Sequence, residues 1–270
     1  MTKLSFPNQL RPDRSVISIN GEGALAFLHN LLTCDVATLA QGQAAYGALL
    51  SPQGKILHDL FVFNAGDQVL IDCAMEQREA LLQKLMMYKL RAKLTIAARD
   101  DLEVAVGDEG YLDPRNAQMG HRFFAANGAF KAGDGYDTAR ISLGLADSVQ
   151  DIGTNSLFPH EANLDQFGGV NFTKGCYVGQ EVVSRMQHRG TARSRVLPVT
   201  GQGLTKGASI TSADKTIGEI LSATSANALA LVRLDRLGDA TAPLLSNAVT
   251  LKVQQPDWIK YDVTIPEAVQ

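Results

Sequence analysis

The segment FTKGCYVGQEVVSRMQHRG, residues 172–190, holds the side chains best suited to chemistry in this sequence. A cysteine reacts as its thiolate, and the pKa of a thiol falls near positive charge or a helix N-terminus. Lys174 lies two residues before Cys176, and Gly179 precedes a stretch of high helical propensity. The pattern predicts a reactive thiol, Cys176, at the positive end of a helix.

The alternative for Cys176 is a packing role, because a free cysteine is most often a small buried apolar residue. Cys34 follows an apolar helical stretch and Cys73 ends an apolar strand, so both are predicted to be packing residues. The cysteines form no C-x-x-C pair and the five histidines no metal-ligand spacing. We therefore predict neither a disulfide framework nor a bound metal ion.

Basic residues are concentrated around the predicted helix, where Glu181 and Arg185 are spaced for an i, i+4 ion pair. Five cations face this one acidic residue between 174 and 195, although the whole chain has a net charge of -3. Such a cluster suits an anionic ligand such as phosphate, a polyglutamate tail or RNA; the alternative is a solvated surface. The cations are Lys174, Arg185, Arg189, Arg193 and Arg195.

The elements that position these residues begin with an α+β unit. Leucines at helical spacing predict a helix after residue 21, and a second helix follows Cys73. Residues 43–73 between them alternate as strands joined by two short turns, which predicts an antiparallel sheet. The residues predicted to face the core are Leu25, Leu28, Leu31 and Leu32 on the first helix, and Leu81, Leu82, Leu85 and Met86 on the second.

Residues 101–190 mix strand and helix patterns. LEVAVG and HRFFA are predicted strands, YDTARISLGLAD is a predicted helix, and SVQDIGTNSLFPHEANLDQFGG is rich in turn formers, which favours an irregular functional loop. From about residue 193 the chain becomes a series of short strand-like segments with no convincing helix. This tail predicts a small β-barrel or sandwich.

Composition and length predict a soluble globular protein with more than one domain. The chain has 270 residues, of which 45% are hydrophobic and 20% charged. The sequence contains no P-loop and no G-x-G-x-x-G motif, so nucleotide binding is not indicated. The first residues carry no apolar leader and no stretch reaches the length of a membrane span, so a cytoplasmic protein without a membrane partner is expected.

KGCYVGQE at 174–181 resembles the signature of the YgfZ family. Members of that family are folate-binding proteins associated with tRNA modification, and they are relatives of the glycine-cleavage T-protein, an aminomethyltransferase of the GcvT family. The YgfZ family also includes a mitochondrial iron–sulfur assembly factor. The resemblance covers nearly the whole chain. Further matching segments are GEGALAFLHNLLTCDV, YGALLSPQGKILHDLFVF and FPHEANLD.

The resemblance implies a three-domain T-protein-like cloverleaf around a central, folate-sized opening. Residues 21–100 would form an inserted α+β domain, 1–20 with 101–190 an α+β domain that carries the motif, and 191–270 the C-terminal barrel. The implied ligand is tetrahydrofolate or a reduced one-carbon derivative. The implied site residues are Cys176 and Lys174 for catalysis, Gly175, Tyr177, Gly179, Gln180 and Glu181 as the motif, and Asp59, Glu161 and Arg185 as folate contacts.

One departure separates the chain from the T-proteins. Their two adjacent acidic residues after the hairpin turn read His58-Asp59 here, which puts glycine-cleavage transfer in doubt while leaving folate binding possible. The preferred hypothesis is a folate-binding monomer that supports iron–sulfur assembly or client proteins, including tRNA-modifying enzymes, with tRNA involved only indirectly. The alternatives are a folate-dependent aminomethyl- or methyltransferase and, more weakly, direct tRNA binding through the basic cluster.

Overall fold

The computed structural model describes residues 6–190 and 192–269, which form an antiparallel α+β structure with three sheets. The strands are β1 Gln9–Leu10, β2 Arg14–Asn20, β3 Ala44–Leu50, β4 Ile56–Asn64, β5 Val69–Ala74, β6 Thr95–Ala98, β7 Leu102–Gly107, β8 Tyr111–Leu112, β9 His121–Ala126, β10 Ser194–Thr200, β11 Ser209–Ser212, β12 Lys215–Ala223, β13 Asn227–Arg233, β14 Leu244–Ser246 and β15 Val249–Val253. The α-helices are α1 Ala24–His29, α2 Arg78–Lys89, α3 Gly135–Leu143, α4 Gln180–Arg189 and α5 Leu234–Gly238.

The first sheet has five strands in the order β3-β4-β5-β2-β6. Because side chains alternate along a strand, its two faces serve different cores. On β4, Leu60 and Val62 pack with α1 and α2 on the outer face, whereas Phe61 and Phe63 face the centre of the molecule. The predicted antiparallel sheet is confirmed, and both helices of this unit pack on one of its faces.

Helix α2 has a narrower buried stripe than its sequence predicts. Leu81 and Leu85 are fully buried, Leu82 is half-buried, and Met86 is 48% exposed, so the prediction that Met86 faces the core is wrong. The sheet covers only the i, i+4 stripe of α2, and Met86 lies about 100° around the helix from Leu85. Leu25 on α1 is likewise only half-buried.

The second sheet has four strands in the order β1-β7-β9-β8. The chain changes sheets between Leu10 and Arg14, since β1 pairs with β7 while β2 pairs with β5 and β6. Strand β2 therefore belongs to the same sheet as residues from the 21–100 unit. The predicted division into three domains stays a prediction, and its limits at residues 1, 191 and 270 lie outside the described residues.

The third sheet is a closed barrel of six strands, β10-β13-β12-β11-β14-β15, which confirms the predicted C-terminal barrel. Helix α5 at Leu234–Gly238 was not predicted; it is a single short helix between two barrel strands. Helices α3 and α4 lie where the sequence places them. The irregular segment begins with one π-helical turn at Ser148–Ile152 and continues as turns.

Buried charges join the first two sheets at the centre of the molecule. The Asp72 carboxylate on β5 accepts hydrogen bonds from Arg14 Nε and from Arg122 Nη1 on β9, each at 2.6 Å. The Arg122 guanidinium lies 3.9 Å from the ring centroid of Phe61. All three charged side chains are at most 3% exposed. Because water does not reach them, each charge is stabilised by its oppositely charged partners.

The network continues to Asp113, whose carboxylate accepts bonds from Arg115 and Arg122. Desolvation alone would raise the pKa of Asp113, but the neighbouring Arg115 and Arg122 outweigh it and hold this pKa at about 2. Because the folded-state pKa lies below the usual value of 3.8, this pairing stabilises the fold above that pH. The contribution is lost as the pH falls toward 2.

Asp72→Asn is expected to lower the free energy of unfolding by about 3–5 kcal/mol, because it leaves two buried guanidinium groups without a full counter-charge. Urea denaturation monitored by circular dichroism measures the change. The control is Asp235→Asn, whose carboxylate is 47% exposed and pairs with Arg233 at the surface; this variant should lose less than about 1 kcal/mol. Equal losses in both variants would contradict a structural role for the network.

Candidate functional site

The loop that carries Cys176 is held against the hairpin turn between β3 and β4 by two glycines. A Cβ on Gly179 would lie 2.6 Å from the Ser51 carbonyl oxygen, and one on Gly54 would lie 2.9 Å from Val182 Cβ. Both glycines have positive φ, +81° in each case, which other residues adopt only with strain. The two glycines therefore allow α4 to begin directly on the turn.

Gly175 plays a different part, because no described atom beyond its neighbours lies within 4 Å of the position that a Cβ would occupy. The backbone beside Cys176 is thus open on that side. Gly175 therefore leaves space around the cysteine, whereas Gly179 is required by packing.

Lys174 anchors the loop to the end of α1. Its ammonium group donates hydrogen bonds to the backbone carbonyls of His29, of Leu32 at 2.6 Å and of Cys34 at 2.9 Å. An ammonium group has three N–H donors, so these carbonyls use all of them. Burial lowers the pKa of Lys174. The contacts of Lys174 indicate a structural anchor, and they give no support to its predicted catalytic role beside Cys176.

A second anchor comes from Asn171, whose side-chain oxygen accepts hydrogen bonds from the backbone N–H groups of Thr173 and Lys174, each at 2.9 Å. The Asn171 N–H donates in turn to the Thr33 carbonyl, also at 2.9 Å. The loop is therefore fixed at both its backbone and its lysine before it reaches Cys176.

Cys176 is exposed, whereas Cys34 and Cys73 are buried. The packing alternative for Cys176 is thereby excluded, and the predicted packing role of the other two is confirmed. Burial raises the pKa of both Cys34 and Cys73 to about 12, which keeps them as thiols at neutral pH. The neighbouring Tyr177 points the other way, into the core, and is 7% exposed. Of the three thiols, only that of Cys176 is accessible.

The start of α4 displays the remaining motif residues at the surface. Arg185 Nη2 donates to Glu181 Oε1 at 2.7 Å, as the spacing predicts, with side chains 56% and 84% exposed. Gln180 is half-buried. An exposed i, i+4 pair stabilises a helix by only about 0.3–0.5 kcal/mol, so this pair leaves Arg185 free to meet another anion.

Arg195 does not belong to the exposed basic cluster. It is 6% exposed, its Nη1 donates to the Asp165 carboxylate and the His160 carbonyl at 2.6 Å each, and its guanidinium lies 4.0 Å from the Tyr261 ring centroid. Its charge is neutralised within the fold by a residue 30 positions away, which spacing along the chain did not reveal. Arg189 and Arg193 are exposed.

Asp59 lies on the central face of the five-stranded sheet and is 3% exposed. The Tyr46 hydroxyl donates to its Oδ2 at 3.1 Å. Burial raises the pKa of Asp59, against the opposing effects of Arg14 and Ser148. A buried carboxyl group therefore stands at the position that the sequence resemblance matches to the second acidic residue of the T-proteins.

His58, at the first acidic position, faces the opposite side of the strand. Its Nδ1 lies 3.1 Å from Gln77 Oε1, and burial lowers the pKa of His58. Because neighbouring strand residues point to opposite faces, His58 cannot assist Asp59. The contacts of His58 and Asp59 therefore add no support to the transferase alternative, which stays a prediction.

Glu161 is half-buried and caps its own turn, since the Phe158 N–H donates to Oε2 at 2.9 Å. Burial raises the pKa of Glu161. Among the described residues, no hydrogen bond or ion pair joins Asp59, Glu161 and Arg185. Their joint role as folate contacts stays a prediction.

Two of the cavities among the described residues lie elsewhere, and neither is lined by Asp59, Glu161 or Cys176. One of about 380 Å³ is lined by His160, Gln187, Arg195 and Tyr261 among others. The other, of about 590 Å³, lies between α3 and the barrel. The sequence offered one weak signal for the first cavity, the polar side chains of the irregular segment.

Two classes of feature are absent from the part of the chain that the structure describes. The described residues contain no group of at least three histidine, cysteine or acidic side chains that could hold a metal ion. No helix among residues 6–190 and 192–269 has both the length and the apolar character needed to cross a bilayer.

Comparison with known proteins identifies the family. Residues 14–103 match the GCVT N-terminal domain, and residues 193–261 match the CAF17 C-terminal beta-barrel domain. The iron-sulfur cluster assembly factor IBA57 homolog, mitochondrial, of Pyricularia oryzae is 30% identical over 85% of this chain and 72% of its own length. The chain belongs to the CAF17/IBA57 family. The human IBA57 protein of the same description is 28% identical over 91% of this chain and 83% of its own length.

The fold has a solved neighbour in the glycine cleavage system aminomethyltransferase T from Bartonella henselae. The TM-score is 0.75 at 15% sequence identity, with 96% of this chain and 88% of that chain covered. The GcvT-like fold implied by the resemblance is therefore confirmed, and at this identity the likeness concerns the fold alone.

Two expectations change with these comparisons. The relatives place the chain in the CAF17/IBA57 family, which confirms the resemblance at that coarser level but not the YgfZ family itself. The expectation of a cytoplasmic protein is wrong, because the IBA57 relatives from Pyricularia oryzae, human and mouse are all named as mitochondrial proteins.

Lys174→Met is expected to lower the free energy of unfolding by about 1.5–3 kcal/mol, because three partly buried backbone carbonyl groups lose a charged donor. Urea denaturation measures the loss, and Lys215→Met on an exposed barrel strand serves as the control with little change. An unchanged stability with a slower reaction of Cys176 toward alkylating reagents would instead assign Lys174 to the thiol.

Proposed function

We propose that this protein is an assembly factor for iron–sulfur clusters that presents the Cys176 thiolate to iron or to a cluster carried by a partner protein. The observation that carries the proposal is the exposed thiol on an anchored loop, in a chain whose relatives are named iron-sulfur cluster assembly factors. Thiolate is the ligand type that iron–sulfur clusters take from proteins.

Because the other two cysteines are buried, the proposal includes Cys176 as the one thiolate ligand from this protein. Cys34 and Cys73 are enclosed and have a pKa of about 12, so neither is available beside Cys176 as a second thiolate. A cluster bound through Cys176 therefore takes further ligands from the partner. Binding of the metal displaces the thiol proton to solvent, so the interaction weakens as the pH falls.

The anchors of the loop explain why a single ligand can be useful. Lys174 and Asn171 hold the backbone before Cys176, and the start of α4 packs on the hairpin turn after it. A ligand on a fixed backbone loses little conformational freedom when it binds. Cys176 is thus presented in a position that the free protein already has.

We also propose that the protein binds a reduced folate, with Asp59 as its acidic contact. The GcvT-like fold supports this part of the proposal. The chemistry of the donor set fits a pterin ring in one respect, because a carboxyl group can accept hydrogen bonds from its N–H groups. When bound, the folate would supply a one-carbon or reducing group.

The space around Asp59 does not fit a folate in this conformation. Asp59 and Tyr46 are each 3% exposed and are hydrogen-bonded to each other. Folate binding at Asp59 therefore requires the Tyr46–Asp59 contact to open. Glu161 and Arg185 lie nearer the surface and are the remaining candidate contacts. We propose in addition that the protein is a monomer and that the enzymes it supports include tRNA-modifying ones.

Cys176→Ser is expected to leave the fold intact and to abolish support of iron–sulfur enzymes in a deletion strain of the source organism. The measurement is the activity of a [4Fe–4S] enzyme in extracts, with Cys73→Ala as the matched cysteine control that restores activity. In the purified protein, an aromatic disulfide reagent should modify one of the three thiols rapidly, and none rapidly in Cys176→Ser. Full restoration by Cys176→Ser would assign the motif a structural role.

Tetrahydrofolate is expected to bind the wild-type protein, and Asp59→Asn to weaken binding roughly tenfold or more, as the loss of a charge-assisted hydrogen bond implies. Isothermal titration calorimetry provides the measurement, with Asp235→Asn as control. If the wild-type protein binds no tetrahydrofolate, the folate part of the proposal fails while the iron–sulfur part stands, because the two use different readouts.

A further inference from the structure

The end of α2 carries apolar side chains that the fold leaves in water. Met86 is 48% exposed, Met87 61% and Leu90 86%. Buried Leu81 and Leu85 hold the helix on the sheet, so these residues are displayed on a fixed element. Together with the cations Lys84, Lys89, Arg91 and Lys93, they form what we call the α2 patch.

The three apolar residues of the α2 patch lie on one side of the helix end. Met86 and Leu90 are one helical turn apart, and Met87 lies beside them. Leu90 follows the last helical residue with φ of 48° and ψ of -112°, a backbone conformation outside the allowed regions that is unfavourable for a leucine. Nothing in its burial offsets this cost, because its side chain is almost fully in solvent.

The charged residues of this stretch of the chain have a single sign. From Ala80 to Ala98 the sequence has the four cations of the α2 patch and no acidic residue, although the chain as a whole has a net charge of -3. No ion pair within the described residues involves any of these four cations. Along the chain, the α2 patch is therefore a positive segment of a weakly acidic protein, and its complement is a negative surface.

The combination of long flexible apolar side chains with flanking lysines and arginines is typical of helices that lie on membranes. The apolar tips enter the boundary between headgroups and acyl chains, while lysine stems extend so that their charges stay among anionic headgroups. We propose that the α2 patch is a peripheral binding surface for an anionic phospholipid bilayer.

Vesicle sedimentation of the full-length protein tests this proposal, with vesicles of phosphatidylcholine alone and of phosphatidylcholine mixed with phosphatidylglycerol. The protein should sediment with the mixed vesicles only, and less so as salt is added. The combined variant Lys89→Glu, Arg91→Glu and Lys93→Glu should weaken binding roughly 100-fold or more, at roughly fivefold or more for each cation.

A second variant tests the apolar contacts at constant charge. Met87→Ser with Leu90→Gly should also weaken vesicle binding; glycine adopts the positive φ at position 90 without steric cost, so the fold is kept. The matched controls lie on the barrel: Lys215→Glu with Lys252→Glu for charge, and Leu245→Ser for an exposed apolar side chain. The controls should bind like the wild type, and circular dichroism confirms the fold of each variant.

Several results would overturn the proposal. Failure of the wild-type protein to bind either vesicle, equal binding to neutral and anionic vesicles, or unchanged binding by both α2 patch variants would each exclude a bilayer contact here. Binding to soluble polyglutamate without binding to vesicles would assign the α2 patch to an acidic protein partner instead. Loss of binding in the barrel controls would place the bilayer contact elsewhere.

Discussion

The carboxylate of Asp72 stands between two guanidinium groups that come from different sheets, and the centre of the molecule is organised around this contact. Charges removed from water are tolerated only when each meets an opposite charge at hydrogen-bonding distance. The position of Arg122 on β9 is thus set relative to β2 and β5. The aromatic residues that fill the same space, Phe61 above all, must then pack against guanidinium faces.

This arrangement decides what the GcvT-like fold can do in this protein. A fold shared with an aminomethyltransferase does not carry the activity with it, because activity depends on the groups at the site. Here the remaining carboxyl group of the acidic pair, Asp59, is covered by Tyr46 and lies near the buried arginines. His58 belongs to the other face of the sheet. The buried charges at the centre of the molecule therefore stabilise the fold.

The reactive features lie at the surface, away from the buried network. Cys176 is displayed by a loop whose fixed points are an ammonium group on three carbonyls, an asparagine turn and two glycines in close approach. The α2 patch is displayed by a helix held through a narrow leucine stripe. In both cases the fold supplies a rigid support, and the outward side chains have no partner among the described residues. Such side chains are available for contacts with other molecules.

The sequence by itself determined the α+β class, the antiparallel sheet, the helices α3 and α4 and the all-β tail, because periodic burial and turn residues are local signals. That the tail closes into a barrel was decided by the pairing of its strands. It also singled out Cys176. Only the tertiary structure decided that this thiol is exposed, that Lys174 binds carbonyls up to 145 positions away, that Arg195 is neutralised by Asp165 and that Met86 faces water. The physical reason is common to all four: which partner satisfies a charge, and which face of a helix is covered, depends on segments distant in the chain, and spacing along one segment carries no information about them.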